Sequence, residues 1–266
     1  MPEVSQQAYL GGVKLENHFF YLNNKNVSIN PYNRSIPSEN LVFYLNPLTY
    51  SSGSSTWLST LGNTPITGSI QTAVGMPVKT SNGIEFNQYQ TLNLEPRDNL
   101  YYYSSEYTLF IVGRFSGSAD LKHGRLLVGG GAKNPFPNDR FALGTKDTGP
   151  HYAETPDGFL ISPTGSYDTT FRLYTLAASG STAGTGNANK IYYENGQFYY
   201  SSSFHFNFSP WGFYGLGINT GSYTSGTEGT AENNTCEIGE IFLYNKKLND
   251  TQINDIYTVV RTAYNI

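Results

Sequence analysis

Residues able to move protons come first, and in this chain the nearest thing to a catalytic pair is Glu237 and Glu240, within CEIGEIFLYN. Glycoside hydrolysis by two carboxyl groups needs both to face one bond, about 5–5.5 Å apart for retention or about 6.5–9.5 Å for inversion. On a regular strand, side chains an odd number of positions apart point to opposite faces. The spacing therefore predicts that Glu237 and Glu240 do not cooperate, and no other strand offers a carboxylate pair.

The remaining reactive residues are as sparse. His18, His123, His151 and His205 show no i, i+4 metal spacing, and no nucleophile elbow lies near them. The glycine run at 129–131 is not followed by the Lys-Ser/Thr of a phosphate cradle and reads as a bulge or turn. Cys236 is the only cysteine, which excludes an intrachain disulfide and a metal site built on several thiolates. It reads as a buried, inert thiol. Together these residues give the expectation that the chain is not an enzyme.

Aromatic side chains offer a different chemistry, because a flat apolar ring with a polar edge stacks well on a sugar. The chain has 22 Tyr, most of which must build a core. In FHFNFSPWGFYG, Phe204, Phe206 and Phe208 fall on one strand face and read as interior, while Trp211 and Tyr214 lie past a proline turn. With Tyr152, Tyr167 and Tyr223 in loops, Trp211 and Tyr214 make up the candidate carbohydrate-binding set.

The elements that must position these residues are strands. The 266 residues include 28 Gly and 13 Pro, and only 14% are charged, a composition that suits many short strands joined by turns. From Leu41 onward, LVFYLN, GIEFNQYQTLNL, EYTLFIVGRF, RLLVGGG, FRLYTLAASG, KIYYENGQFYY, FHFNF and EIFLYN read as strands without intervening helical patterns. That order predicts an antiparallel two-sheet sandwich. Asn195-Gly196 predicts a hairpin, since a type I′ turn needs positive φ at both central residues. Residues 129–168, 178–190 and 219–235 read as long loops, the outward parts a ligand can reach.

The last segments pair a strand with a helix. Ile241 and Leu243 share one strand face and Phe242 and Tyr244 the other, as expected when both faces are covered. After the turn, Asn249 is placed to cap a helix with Gln252 at the capping-box position, and Ile253, Ile256, Tyr257 and Val260 recur at helical spacing. The helix should lay that apolar stripe against the sheet.

Residues 1–38 differ in texture. They are polar and Asn-rich, with Phe19, Phe20, Tyr21 and Leu22 as their one hydrophobic knot, and end in the proline-punctuated INPYNRSIPSEN. They read as an extended arm, either a docking segment carried by Phe19–Leu22 or an extra edge strand, preceding a domain at 39–266. The N-terminus shows no secretory signal pattern, and no run approaches the roughly 20 apolar residues of a membrane span. The formal net charge of -4, with Lys and Arg scattered, leaves no electrostatic footprint for nucleic acid or an anionic membrane. The Asn-x-Ser/Thr sequons at Asn26, Asn33, Asn207, Asn233 and Asn249 read as chance in so Asn-rich a chain.

Five landmarks in order carry a resemblance. LVFYLNPLTYSSGSSTWLSTLGN (41–63, with Trp57), GIEFNQYQTLNL (83–94), YTLFIVGRF (107–115), KIYYENGQFYY (190–200) and CEIGEIFLYNKKLNDTQI (236–253) resemble the concanavalin A-like (laminin G-like) jelly-roll family, in the form found in tailed-phage virion proteins. The resemblance covers residues 40–266 and implies two curved sheets of six or seven strands each with a short C-terminal helix. The hydrolase branch of that family presents Glu-x-Asp-x-x-Glu on one strand, and 237–242 lacks its central Asp and distal Glu. Acidic residues that help hold Ca²⁺ in some relatives are replaced by Asn46, Ser59 and Asn87-Gln88. No cofactor is expected, and a Ca²⁺ would fall to spare loop carboxylates such as Asp98, Asp139, Asp147 and Asp157.

The function this implies is a non-enzymatic virion structural or decoration protein, assembled in the host cytoplasm and released by lysis. Its arm would dock on capsid or tail proteins, its jelly roll would touch host-surface glycans, and the chain could self-associate. The alternative is a free-standing carbohydrate-binding module or lectin.

Overall fold

The computed structural model describes residues 19–22, 25–30, 34–59, 67–72, 75–87, 90–94, 106–115, 123–130, 140–146, 151–155, 158–161, 169–179, 186–206, 215–218 and 235–266. In chain order the strands are β1 (Phe19–Leu22), β2 (Lys25–Asn30), β3 (Arg34–Ser35), β4 (Leu41–Leu45), β5 (Thr56–Leu58), β6 (Thr67–Thr72), β7 (Val78–Lys79), β8 (Ile84–Phe86), β9 (Gln90–Leu94) and β10 (Glu106–Phe115). They continue with β11 (His123–Gly130), β12 (Arg140–Lys146), β13 (His151–Thr155), β14 (Gly158–Ile161), β15 (Arg172–Ser179), β16 (Gly186–Glu194), β17 (Gln197–Phe206), β18 (Gly215–Ile218) and β19 (Cys236–Tyr244), and the chain closes with helix α1 (Asp250–Tyr264). The fold is predominantly antiparallel β with one short C-terminal helix.

Two eight-stranded sheets and a three-stranded one account for these strands. The first large sheet runs β17-β16-β15-β10-β19-β8-β7, with β4 also on β19, and the second runs β14-β13-β12-β11-β18-β9-β6-β5. The small sheet is β1-β2-β3. The segment expected as an extended arm thus pairs with itself, because Phe19–Leu22 and Lys25–Asn30 are separated by only a short link and close in register Leu22↔Lys25. Each large sheet has more strands than the six or seven the resemblance implies.

The first sheet is covered on both faces, as the alternation in β10 and β19 requires. Leu109, Ile111, Ile241 and Leu243 join Trp57 of the second sheet in one buried cluster, here termed the inner face. Phe110, Val112, Phe242 and Tyr244 pack against Ile253, Ile256 and Val260 of α1 on the outer face. Each helix side chain so buried is worth about 1.5–3 kcal/mol of transfer free energy. The helix begins as predicted: Asn249 accepts from the Gln252 amide, and the Gln252 side chain reaches back to the Asn249 N–H. It ends at Asn265 in the left-handed region, whose N–H bonds the Arg261 carbonyl. Among the described residues no helix is long and apolar enough to cross a membrane.

Two predicted loops prove to contain strands. Residues 129–168 hold the end of β11 and all of β12, β13 and β14, and residues 178–190 hold the end of β15 and the start of β16. The overlooked signal for β13 and β14 is Pro156-Asp157-Gly158, a turn tripeptide between two short β-prone runs. Thr155 indeed pairs with Gly158.

Candidate functional site

Asn46, Ser59 and Asn87 serve local structure. The Asn46 side chain caps the 3-10 turn Pro47–Thr49 by accepting from the Leu48 N–H at 2.9 Å, and its amide donates to the Tyr44 hydroxyl at 2.8 Å. The Asn46 backbone carbonyl accepts from the Trp57 indole N–H at 2.9 Å. Ser59 Oγ accepts from the Tyr44 N–H at 3.2 Å, and the Asn87 N–H donates to Gln90 Oε1 at 2.9 Å. Among the described residues no group of three His, Cys, Asp or Glu is arranged to hold a metal. Asp98, Asp139, Asp147 and Asp157 lie outside the described residues.

Glu237 and Glu240 do not obey the regular-strand expectation. Val112 pairs with Glu240 and Gly113 with Ile238, so Gly239 is an extra residue in β19, a β-bulge. An inserted residue restores parity and turns both carboxylates to the outer face. Glu237 takes hydrogen bonds from Thr80 and from Arg114, whose Nε lies at 2.7 Å. Glu240 accepts from the Tyr44 hydroxyl at 3.2 Å. The bulge is sealed: a Cβ on Gly239 would lie 2.5 Å from the Tyr264 ring, so glycine is required there to let the helix close down. Cys236 is buried as expected, and burial with the nearby charges of Glu237 and Glu85 pushes its thiol far up, which keeps it protonated and unreactive.

A second bulge stands at the sheet's terminal strand among those described. Tyr192 pairs with Tyr200 and Tyr193 with Phe198, leaving Tyr199 as the inserted residue in β17. Directly paired residues share a face, so Tyr200 lies on the inner side with Tyr192, and Phe198 on the outer side with Tyr193. Tyr199 packs onto the inner cluster, its ring 6.1 Å from that of Tyr192. Phe198 sits edge-on to Tyr193 at 6.1 Å and 82°. Phe198 and Tyr200 are 57% and 47% exposed, whereas the other exposed large apolar residues described, Leu58 and Val78, stand singly on other strands. One short stretch therefore presents aromatic surface on both sides of an edge.

Behind this rim lies a buried polar row. Glu194 is ion-paired to Arg172, and the Tyr192 hydroxyl donates to Glu194 Oε2 at 3.3 Å. Burial first, then the charge of Glu194, raises the Tyr192 phenol well above its ordinary value. At neutral pH it is a donor rather than a phenolate. Chemically, the edge offers ring stacking outside and a fixed donor-acceptor row beneath.

Of the candidate sugar-binding residues read from sequence, only Tyr152 lies among the described residues, and it is not in this rim. Tyr152 lies in β13 of the other sheet, paired with Gly144 and Ile161 rather than in a loop. Tyr167, Trp211, Tyr214 and Tyr223 lie outside the described residues, and Phe19, Phe20, Tyr21 and Leu22 form β1. Phe198, Tyr199 and Tyr200 were overlooked because FYY after Asn-Gly reads simply as the second arm of a hairpin. The available signal is the uncharged run QFYYSSSFHF, which lacks the lysine or proline that usually guards an edge.

No protein-family model and no curated protein matches the sequence. Solved structures do. A Trypanosoma rangeli sialidase in complex with sialic acid superimposes at TM-score 0.61 with 17% identity, over 84% of this chain and 33% of that one. A mutant of the same sialidase displaying trans-sialidase activity matches at 0.60 and 17%, over 86% and 34%. The binding domain of botulinum neurotoxin serotype D/C VPI 5993 matches at 0.50 and 12%, over 83% and 52%. The chain spans about a third of the length of the sialidases, and at such identities the likeness is one of fold.

These neighbours overturn the expectation that the chain is not an enzyme, because the solved structures it resembles in fold, over about a third of their length, include sialidases, which are enzymes. That expectation rested on the lack of a carboxylate pair, whereas sialidases use a tyrosine nucleophile. A missing pair of carboxylates thus has no bearing on that class.

Proposed function

We propose that this chain is a glycan-binding domain whose contact surface is the aromatic edge Phe198, Tyr199 and Tyr200, on a concanavalin A-like jelly roll formed by the two large sheets. The observation that carries this reading is the exposure of two aromatic rings on one strand, Tyr200 on the inner side with the Arg172–Glu194–Tyr192 row and Phe198 on the outer side. Large rings left about half exposed cost solubility, so their concentration on one strand calls for a partner. The fold's likeness to a sialidase and to a toxin binding domain supports a glycan as that partner. Trp57 of the second sheet, packed into the inner core of the first, supports the sandwich arrangement.

The test is a binding screen of the full chain against neutral and sialylated oligosaccharides, with and without Ca²⁺, followed by Tyr200→Ala. Saturable binding lost in the variant supports the reading. Binding that survives in the variant moves the site elsewhere.

For biological setting we propose a virion surface protein, with residues 1–38 as the attachment segment and capsid or tail proteins as its partners. The phage-type order of the five sequence landmarks supports this. Deleting residues 1–38 should abolish incorporation into particles and leave glycan binding intact; unchanged incorporation would remove the segment's role. A free-standing lectin is the second reading, favoured if the rim binds glycan and no particle takes up the chain.

A further inference from the structure

The hairpin that bears the rim is gripped by the C-terminal helix at two points. The Tyr193 hydroxyl, on β16, donates to Asp250 Oδ1 at 2.7 Å in the first turn of α1. At the turn itself, Asn195 and Gly196 have φ of 51° and 74°, and a Cβ on Gly196 would fall 2.9 Å from the Tyr257 side chain. Tyr257 thus lies flush on the turn, with the Arg261 guanidinium 5.9 Å from its ring. Asp250, Tyr257 and Arg261 are spaced so as to fall along one helical stripe. Inside the sheet, Asn195 continues the ladder past the strand end, its N–H donating to the Leu173 carbonyl and its Oδ1 accepting from the Leu173 N–H, each at 2.9 Å.

A terminal strand paired on one side only, as β17 is with β16 among the described strands, is otherwise among the less anchored parts of a sheet. Here the strand leaving the turn is the one that carries Phe198, Tyr199 and Tyr200. We infer that the Asp250–Tyr257 face of α1 is a positioning element for the aromatic edge, fixing the hairpin so that the rings are preorganised for a ligand. The inference rests on the glycan reading for its purpose, though not for its geometry. A preorganised edge binds more tightly because its ordering cost is met during folding.

The experiment compares wild type with Asp250→Ala, Asp250→Asn, Tyr193→Phe and Tyr200→Ala in the full chain, using amide hydrogen exchange and binding of 3′-sialyllactose and lactose. Exchange at residues 197–201 should quicken by at least about tenfold in Asp250→Ala and Tyr193→Phe, the loss of one hydrogen bond to a carboxylate. β10 and β19 should not change. Affinity should fall by a smaller factor, set by the fraction of molecules whose edge is open; Asp250→Asn should restore most of both, and Tyr200→Ala should lose binding with exchange unaltered. Unchanged exchange at 197–201, or a rise spread evenly over the sheet, overturns the positioning role. If wild type binds neither sugar the glycan reading fails, and the exchange pattern still decides whether the helix holds the edge.

Discussion

In the first sheet, the β-bulge at Gly239 in its centre and the one at Tyr199 on its terminal described strand serve opposite ends. At the centre the inserted residue is a glycine, the Tyr264 ring fills the space above it, and two glutamates turn to a face where hydroxyls and Arg114 receive them. At the edge the inserted residue is a tyrosine, and its neighbours Phe198 and Tyr200 stand in solvent. The same irregularity therefore closes a core in one strand and displays a surface in another. What decides is the number of neighbours: β19 lies between β10 and β8 and also pairs with β4, while β17 pairs only with β16 among the described strands.

The largest effect that separates the two regions is core truncation. Phe242 is fully buried, its ring 5.0 Å from Phe110 and 5.9 Å from Tyr44. Phe242→Ala should cost about 3–5 kcal/mol in denaturant unfolding. Glycan affinity per folded molecule should be unchanged.

Next comes the sealed bulge. Gly239→Ala forces a methyl group against the Tyr264 ring and should cost about 1–3 kcal/mol. Retained stability there would mean that the ring moves aside freely, and the contrast between a closed and an open bulge would weaken.

Alkaline titration sharpens the comparison without any substitution. Tyr192, Tyr193 and Tyr244 are held above the ordinary phenol value of 10.0 and Cys236 above 9.0, mainly by burial. The folded state keeps these protons after the unfolded chain has released its own. Their contribution is thus complete below about pH 9 and lost as pH rises, by about 1.4 kcal/mol per pH unit for each group once past its unfolded value. Chemical unfolding at pH 8 and pH 11 should show the fall, and Tyr244→Phe should lessen it.

Much of this was legible in the chain. Asn195-Gly196 marked its hairpin because few dipeptides accept positive φ twice, and Asn249 with Gln252 marked the helix start because the orphan amides need those side chains. The two-faced alternation of Ile241 to Tyr244 likewise foretold a strand covered by core and helix. The bulges were hidden, since one extra residue inverts every later inference from period-two spacing, as happened with Glu237 and Glu240. Edge position was hidden too: it depends on which strands pair at long range, and only the uncharged QFYYSSSFHF hinted at it.

Tyr200→Ala is the smallest expected change in stability, within about 0.5 kcal/mol, as befits an exposed side chain. It is also the most direct test of the account. Binding of sialylated and neutral oligosaccharides by wild type and Tyr200→Ala should be measured at matched folded concentration. The account predicts saturable binding by the wild type, lost in a variant that unfolds at the same denaturant concentration. Equal binding by both proteins, or none by the wild type, would contradict the edge as the glycan site.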